Sequence, residues 1–150
     1  YETQAILRYI DAAFPEPPLT PKDARGIARM SQVMNVLDAY VMPSLTAGIG
    51  FHRIVAPIFG LPADEDAVKA AIAPSRIALR ALEDLLGTQA YFAGDTLTLA
   101  DLAAISHLDM VPASPEGAEL IAGSPLLDWM ARMNARPSVA KTTMAAMMGR

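Results

Sequence analysis

Apolar residues recur along this chain at helical spacing, and prolines and glycines break the pattern into segments. In residues 3–13, Ala5, Ile6, Tyr9, Ile10 and Ala13 fall on one face, which predicts a short amphipathic helix. Residues 15–21 hold Pro15, Pro17, Pro18 and Pro21 and cannot continue it. A second stripe of Ile27, Met30, Met34, Leu37 and Val41 predicts a long helix. Thr20 would cap that helix, with Pro21 in its first turn and Asp23 closing a capping box. Pro43 is expected to kink or interrupt it, and Gly48 and Gly50 to loosen the turn that follows. Pro57, Gly60 and Pro62 should end the segment. Asp64, Glu65 and Asp66 place acids where a helix begins, and that helix should run to Leu86, bend at Pro74 and stop at Gly87.

The stretch 98–111 differs, because apolar residues go nearly all the way round it. Such a helix belongs inside a bundle, where its first-turn N–H groups cannot turn to water. Thr98 is placed as N-cap and Asp101 as the residue that reaches back to it, with Leu97 and Leu102 spaced for a hydrophobic staple. Ordinary helix capping explains the same spacing. Ser124 and Pro125 then start a helix carrying Leu126, Leu127, Trp129, Met130 and Met133 to about Ala135. Arg136-Pro137 forces a turn, and a last helix holds Val139, Met144, Met147 and Met148. With no period-two alternation and no internal repeat, the class is all-α, with helices joined by short Pro/Gly turns.

Composition narrows the chemistry. The 150 residues suit one domain with a sizeable core, and 53% of them are hydrophobic. No apolar run is long enough to cross a membrane, so the surplus must be buried in the core or against a partner. A net charge of −4 argues against a nucleic-acid surface. The absence of cysteine excludes disulfides and thiol chemistry from this chain and is compatible with the cytoplasm. His52 and His107 lack metal-ligand spacing, so no metal is expected. The chain starts at Tyr1, inside an apparent helix and without Met, which suggests a piece of something longer.

Three segments taken together resemble the glutathione S-transferase superfamily. They are Glu2-Thr3-x-Ala5-Ile6-x-x-Tyr9-Ile10, Gly94-x-x-Leu97-Thr98-x-Ala100-Asp101, and Pro125-Leu126-x-x-Trp129-x-x-Arg132-Met133-x-x-Arg136-Pro137-Ser138-Val139. The resemblance implies a C-terminal-type bundle of about five to six helices, preceded by one helix left from a thioredoxin-like domain. The implied division is 1–14 for that helix, 15–21 for a Pro-rich linker and 22–150 for the helical domain. It also implies that Glu2 and Thr3 hold the γ-glutamyl end of glutathione, the co-substrate, with Thr3 standing where Ser is commoner in the family. Read alone, Glu2-Thr3 is a helix cap.

The family's activating Ser, Tyr or Cys belongs to a domain that this chain lacks. No catalytic residue is therefore assigned, and the chain alone is expected to be inactive. The implied activity of the parent is glutathione transfer to a small hydrophobic electrophile. The helical domain would supply an apolar wall, with Tyr40, Ser44 and His107 as candidates, although plain packing explains each of them too. A homodimer is implied, with Asn35 and Asp38 on the helix facing the partner. Arg132 and Arg136 are expected to pair with acids or helix ends. An apolar groove is expected beside residues 1–13. The same resemblance also covers non-catalytic interaction modules and glutathione-dependent isomerases, dehalogenases and reductases.

Overall fold

The computed structural model describes residues 1–147, and among these there is no β-strand, only an isolated bridge between Tyr91 and Gly94. The helices are α1 (Thr3–Ala13), α2 (Ala24–Val36), α3 (Leu37–Val55), α4 (Glu65–Leu86) and α5 (Leu99–Leu108). They are followed by α6 (Pro115–Ile121), α7 (Leu126–Asn134), α8 (Pro137–Ala140) and α9 (Met144–Met147). The core gathers around α2, α3, α4 and α5, with Trp129 and Phe92 as its largest fully buried side chains. The two rings meet edge to face at 5.0 Å.

Several local expectations fail for identifiable reasons. The helix after the prolines does not begin at Thr20 but at Ala24, because the Asp23 carboxylate caps it by accepting the Gly26 N–H at 2.9 Å. Leu19 is held upstream, its N–H by the Asp11 carboxylate (2.8 Å) and its carbonyl by the Leu99 N–H (3.1 Å). That fixes the chain's entry to the helix and leaves Thr20 outside it. Ile27 is exposed, so the buried stripe starts at Gly26 and Met30.

Pro43 neither breaks nor interrupts the chain's long helix. α2 passes directly into α3, which is wound as a π-helix. In an α-helix the proline ring would strike the carbonyl four residues back; the wider i→i+5 winding moves that carbonyl away. The Ser44 hydroxyl also donates to the Tyr40 carbonyl at 2.6 Å. Gly48 and Gly50 lie inside α3 rather than in a turn. A Cβ on Gly48 would meet the Ala71 Cβ at 2.5 Å, so this glycine lets α3 and α4 approach closely. α4 starts where the acids predicted, with Asp64 accepting the Ala67 N–H (3.0 Å), continues through Pro74 and stops at Gly87.

α5 has the expected capping box between Thr98 and Asp101. Its burial is not complete all round: Ser106 is exposed, and Leu102, Ala103 and His107 are half-buried. At the C-terminal end the Ser124 hydroxyl accepts the Leu126 N–H (3.1 Å) and α7 follows. The expected single last helix is two short ones. The Thr142 hydroxyl turns back to the Ser138 carbonyl (2.9 Å), and Thr143 accepts the Ala146 N–H (3.1 Å) to start a new turn. Met148 lies outside the described residues.

Candidate functional site

The first candidate end is the start of α1. Glu2 is its N-cap with φ 68° and ψ 104°, the one non-glycine residue at positive φ among the described residues. Holding a Glu there costs about 1–3 kcal/mol, and such strain persists where surrounding structure imposes it. Glu2 and Thr3 are exposed, and no side chain caps α1, so the first-turn N–H groups point at solvent. A carboxylate, a hydroxyl and uncapped helix donors thus occur at one helix start, a combination suited to an ammonium and a carboxylate on one small molecule.

α1 is anchored to the bundle by its other side. The Gln4 amide donates to Asp38 at 2.7 Å, Arg8 donates to the Ser31 hydroxyl at 3.1 Å, and Leu7 packs on the core. Asp38 therefore meets α1 of its own chain. The outer face of α1 is apolar and open: Ile6, Tyr9, Ile10 and Phe14 are all exposed, Tyr9 by 72%.

The wide winding of α3 sorts its residues into stripes spaced by four. Leu37, Val41, Leu45 and Ile49 are buried. Val36, Tyr40, Ser44 and Gly48 line an apolar groove of about 820 Å³ against Ala67, Ala71 and Pro74 of α4. Asp38, Met42 and Thr46, with Phe51 a further turn on, form the third stripe, on which Met42 and Phe51 are exposed.

These stripes separate the expected substrate contacts. Tyr40 and Ser44 share the α3–α4 groove, Tyr40 exposed at its rim and Ser44 buried with its hydroxyl proton already committed. His107 is not with them. Its Nδ1 lies 3.0 Å from the Thr46 hydroxyl. Burial pushes the His107 imidazole below its ordinary pKa, with the Asp38 charge opposing, so the ring is neutral near pH 7.

Thr98 and Asp101 are structural. Asp101 is fully buried and its two oxygens take the Phe92 N–H (3.0 Å), the Trp129 indole N–H (3.1 Å), the Thr98 N–H (2.9 Å) and the Thr98 hydroxyl (2.9 Å). Neither side chain can reach a solute. Among the described residues no three His, Asp or Glu side chains are placed to hold a metal ion. Arg132 donates to the Ala90 carbonyl (3.1 Å), a loop rather than an acid or helix end, and Arg136 Nε is buried without a partner among the described residues. Asn35 is exposed on α2.

No local rule of the sequence groups Met42, Thr46 and Phe51. Their shared stripe follows from π winding, for which a lone proline in an apolar helix was the only signal.

The family profile described as "Glutathione S-transferase, C-terminal domain" matches residues 31–137. Glutathione S-transferase F10 of Arabidopsis thaliana is 32% identical over 105 residues, covering 69% of this chain and 48% of its own length. Glutathione S-transferase F14 of the same plant is 30% identical over 147 residues, covering 95% of this chain and 58% of its own. The chain thus spans about half the length of these curated relatives. Among solved structures, maize glutathione S-transferase I in complex with an atrazine glutathione conjugate superimposes with a TM-score of 0.83 at 25% identity, over 100% of this chain and 70% of that one. The chain belongs to the glutathione S-transferase family and carries its C-terminal helical domain.

Proposed function

We propose that this chain is the larger part of a glutathione transferase, with α1 as the last helix of a thioredoxin-like domain, 15–21 as the linker and 22–150 as the helical domain. Two features support the division. The relatives are longer than this chain, and α1 turns an apolar face outward while its other side is fastened to the bundle. Docking of a further domain on Ile6, Tyr9 and Ile10 would bury that face.

In this reading Glu2 pairs with the ammonium of glutathione's γ-glutamyl end, while the Thr3 hydroxyl and the first-turn N–H groups take its carboxylate. The single observation that carries it is the left-handed backbone of Glu2 at an uncapped helix start. The glutathione thiol gives up its proton, and the thiolate, activated by a residue outside this chain, attacks an electrophilic carbon: the carbon–sulfur bond forms as that carbon's bond to its leaving group breaks, and the leaving group departs with the electron pair as an anion. Met42 and Phe51 supply the apolar wall for that electrophile, and Thr46 with His107 the polar notch in it. Tyr40 and Ser44 belong to the opposite face. The α3–α4 groove there, lined by small residues, suits contact with a second copy of the chain, giving a cytoplasmic homodimer. The atrazine glutathione conjugate bound by the maize structure supports a small hydrophobic electrophile.

The test is kinetic. In the longer polypeptide containing this chain, Glu2→Gln and Thr3→Ala should each raise KM for glutathione about tenfold or more, with little change in KM for the electrophile. Unchanged glutathione affinity in both variants would remove Glu2 and Thr3 from the site.

A further inference from the structure

α3 carries Gly48 and Gly50 just before Phe51, and glycine has low helix propensity. Phe51 is exposed in the last turn of α3, so contacts outside the core must hold its ring. Two residues that follow it do so. His52 stacks edge-on against Phe51 at 5.2 Å and its Nδ1 accepts the Asp64 N–H at 3.2 Å, where α4 begins. Arg53 spreads its guanidinium over two carboxylates from two other helices. It donates to Glu65 of α4 at 2.7 and 2.8 Å, and to Glu116 of α6 at 2.6, 3.0 and 3.0 Å. The arginine and Glu116 are each only 20% exposed, whereas Glu65 is 70% exposed.

The Glu65 arm is exposed and contributes little to stability. A planar fork bound at both edges instead contributes geometry, because it fixes the angle among three elements. We propose that Arg53 is a positioning residue for the apolar substrate: by clamping the end of α3 to α4 and α6 it sets where the Phe51 ring stands. It acts through Phe51 and touches no substrate. The inference rests on the proposed transferase reading, in which Met42 and Phe51 line the wall.

The experiment uses the longer polypeptide, with chlorodinitrobenzene as electrophile, and compares wild type with Glu116→Gln, Arg53→Met, Arg53→Lys and Glu65→Gln. Arg53→Met and Glu116→Gln should raise KM for chlorodinitrobenzene about threefold to tenfold, with KM for glutathione held within about twofold. Arg53→Lys should fall between, since one ammonium cannot grip both carboxylates as a fork. Glu65→Gln, at the exposed arm, keeps the fold safe and should give the smallest rise. Unchanged KM values with only a lowered Tm would make the clamp purely structural and overturn the proposal, as would an equal rise in both KM values. Wild-type protein without glutathione-dependent turnover would instead overturn the transferase reading, and this inference with it.

Discussion

Two carboxylate clusters organise this bundle, and they solve opposite problems. Asp101 is fully buried and meets no cation; two backbone N–H groups, a hydroxyl and an indole N–H satisfy it. Glu65 and Glu116 sit at the rim and share one guanidinium. A buried charge must have its hydrogen bonds complete, because each donor left without a partner bears the full cost of desolvation. At the rim water replaces a lost partner, so the cluster can be weakened by degrees. The buried centre therefore holds the fold, and the rim cluster adjusts one angle within it.

The largest expected effect breaks the buried side of this contrast. Asp101→Ala removes the acceptor of Phe92 N–H, Thr98 N–H and the Trp129 indole together, and should cost about 3–5 kcal/mol. Asp101→Asn keeps an acceptor but aims an amide donor at other donors, so its cost should be smaller yet clear. Urea denaturation of this chain measures both. A loss under about 1 kcal/mol for the alanine variant would mean that water replaces the carboxylate, and the two clusters would no longer differ in kind.

Trp129→Phe sharpens the same point at smaller scale. The ring still packs edge-on to Phe92, but Asp101 Oδ1 loses one of its donors. The expected cost is about 1.5–3 kcal/mol, the worth of a hydrogen bond to a charged group with the packing largely retained. A cost as large as that of Asp101→Ala would shift the weight from the hydrogen bond to ring packing.

The same contrast explains what the sequence made legible. Thr98 and Asp101 are three residues apart, and local capping chemistry is read directly from such spacing. So are the acids that open α4 and the glycine that closes it. The Trp129 indole reaches Asp101 across 28 residues, and Arg53 reaches Glu116 across 63, and no local rule encodes either. α-Helical geometry predicts that Pro43 kinks or interrupts its helix, and the structure instead carries it inside the wider winding of α3. That choice of winding also decided the candidate wall. Tyr40 and Ser44 went to the α4 side, while His107 met Thr46 two residues further on. At α1, the spacing of Glu2 and Thr3 was visible, but the left-handed backbone of Glu2 was not, since nothing in a Glu side chain demands it.

The smallest expected effect concerns acid. Hydrogen bonds from Arg53 hold both Glu65 and Glu116 below the ordinary glutamate pKa of 4.5. A carboxylate whose pKa is lowered on folding adds stability above its unfolded pKa and loses it as pH falls through the folded value. The clamp should therefore be intact at neutral pH and release only on the acid side of the glutamate range. His107 is expected to act earlier on the same descent. Burial lowers its pKa, so the unfolded chain takes up a proton first, and stability declines as pH falls through about 6.5. The two contributions separate by substitution. Glu116→Gln should flatten the fall in Tm below pH 4.5 by no more than a few degrees and leave the step near pH 6.5 untouched. Thermal melts between neutral and acid pH, repeated at high salt, provide the check. Salt should weaken the exposed Glu65 arm more than the half-buried Glu116 arm, because screening acts on charges that water reaches. Asp101, with no ion partner and no solvent contact, should be indifferent to it.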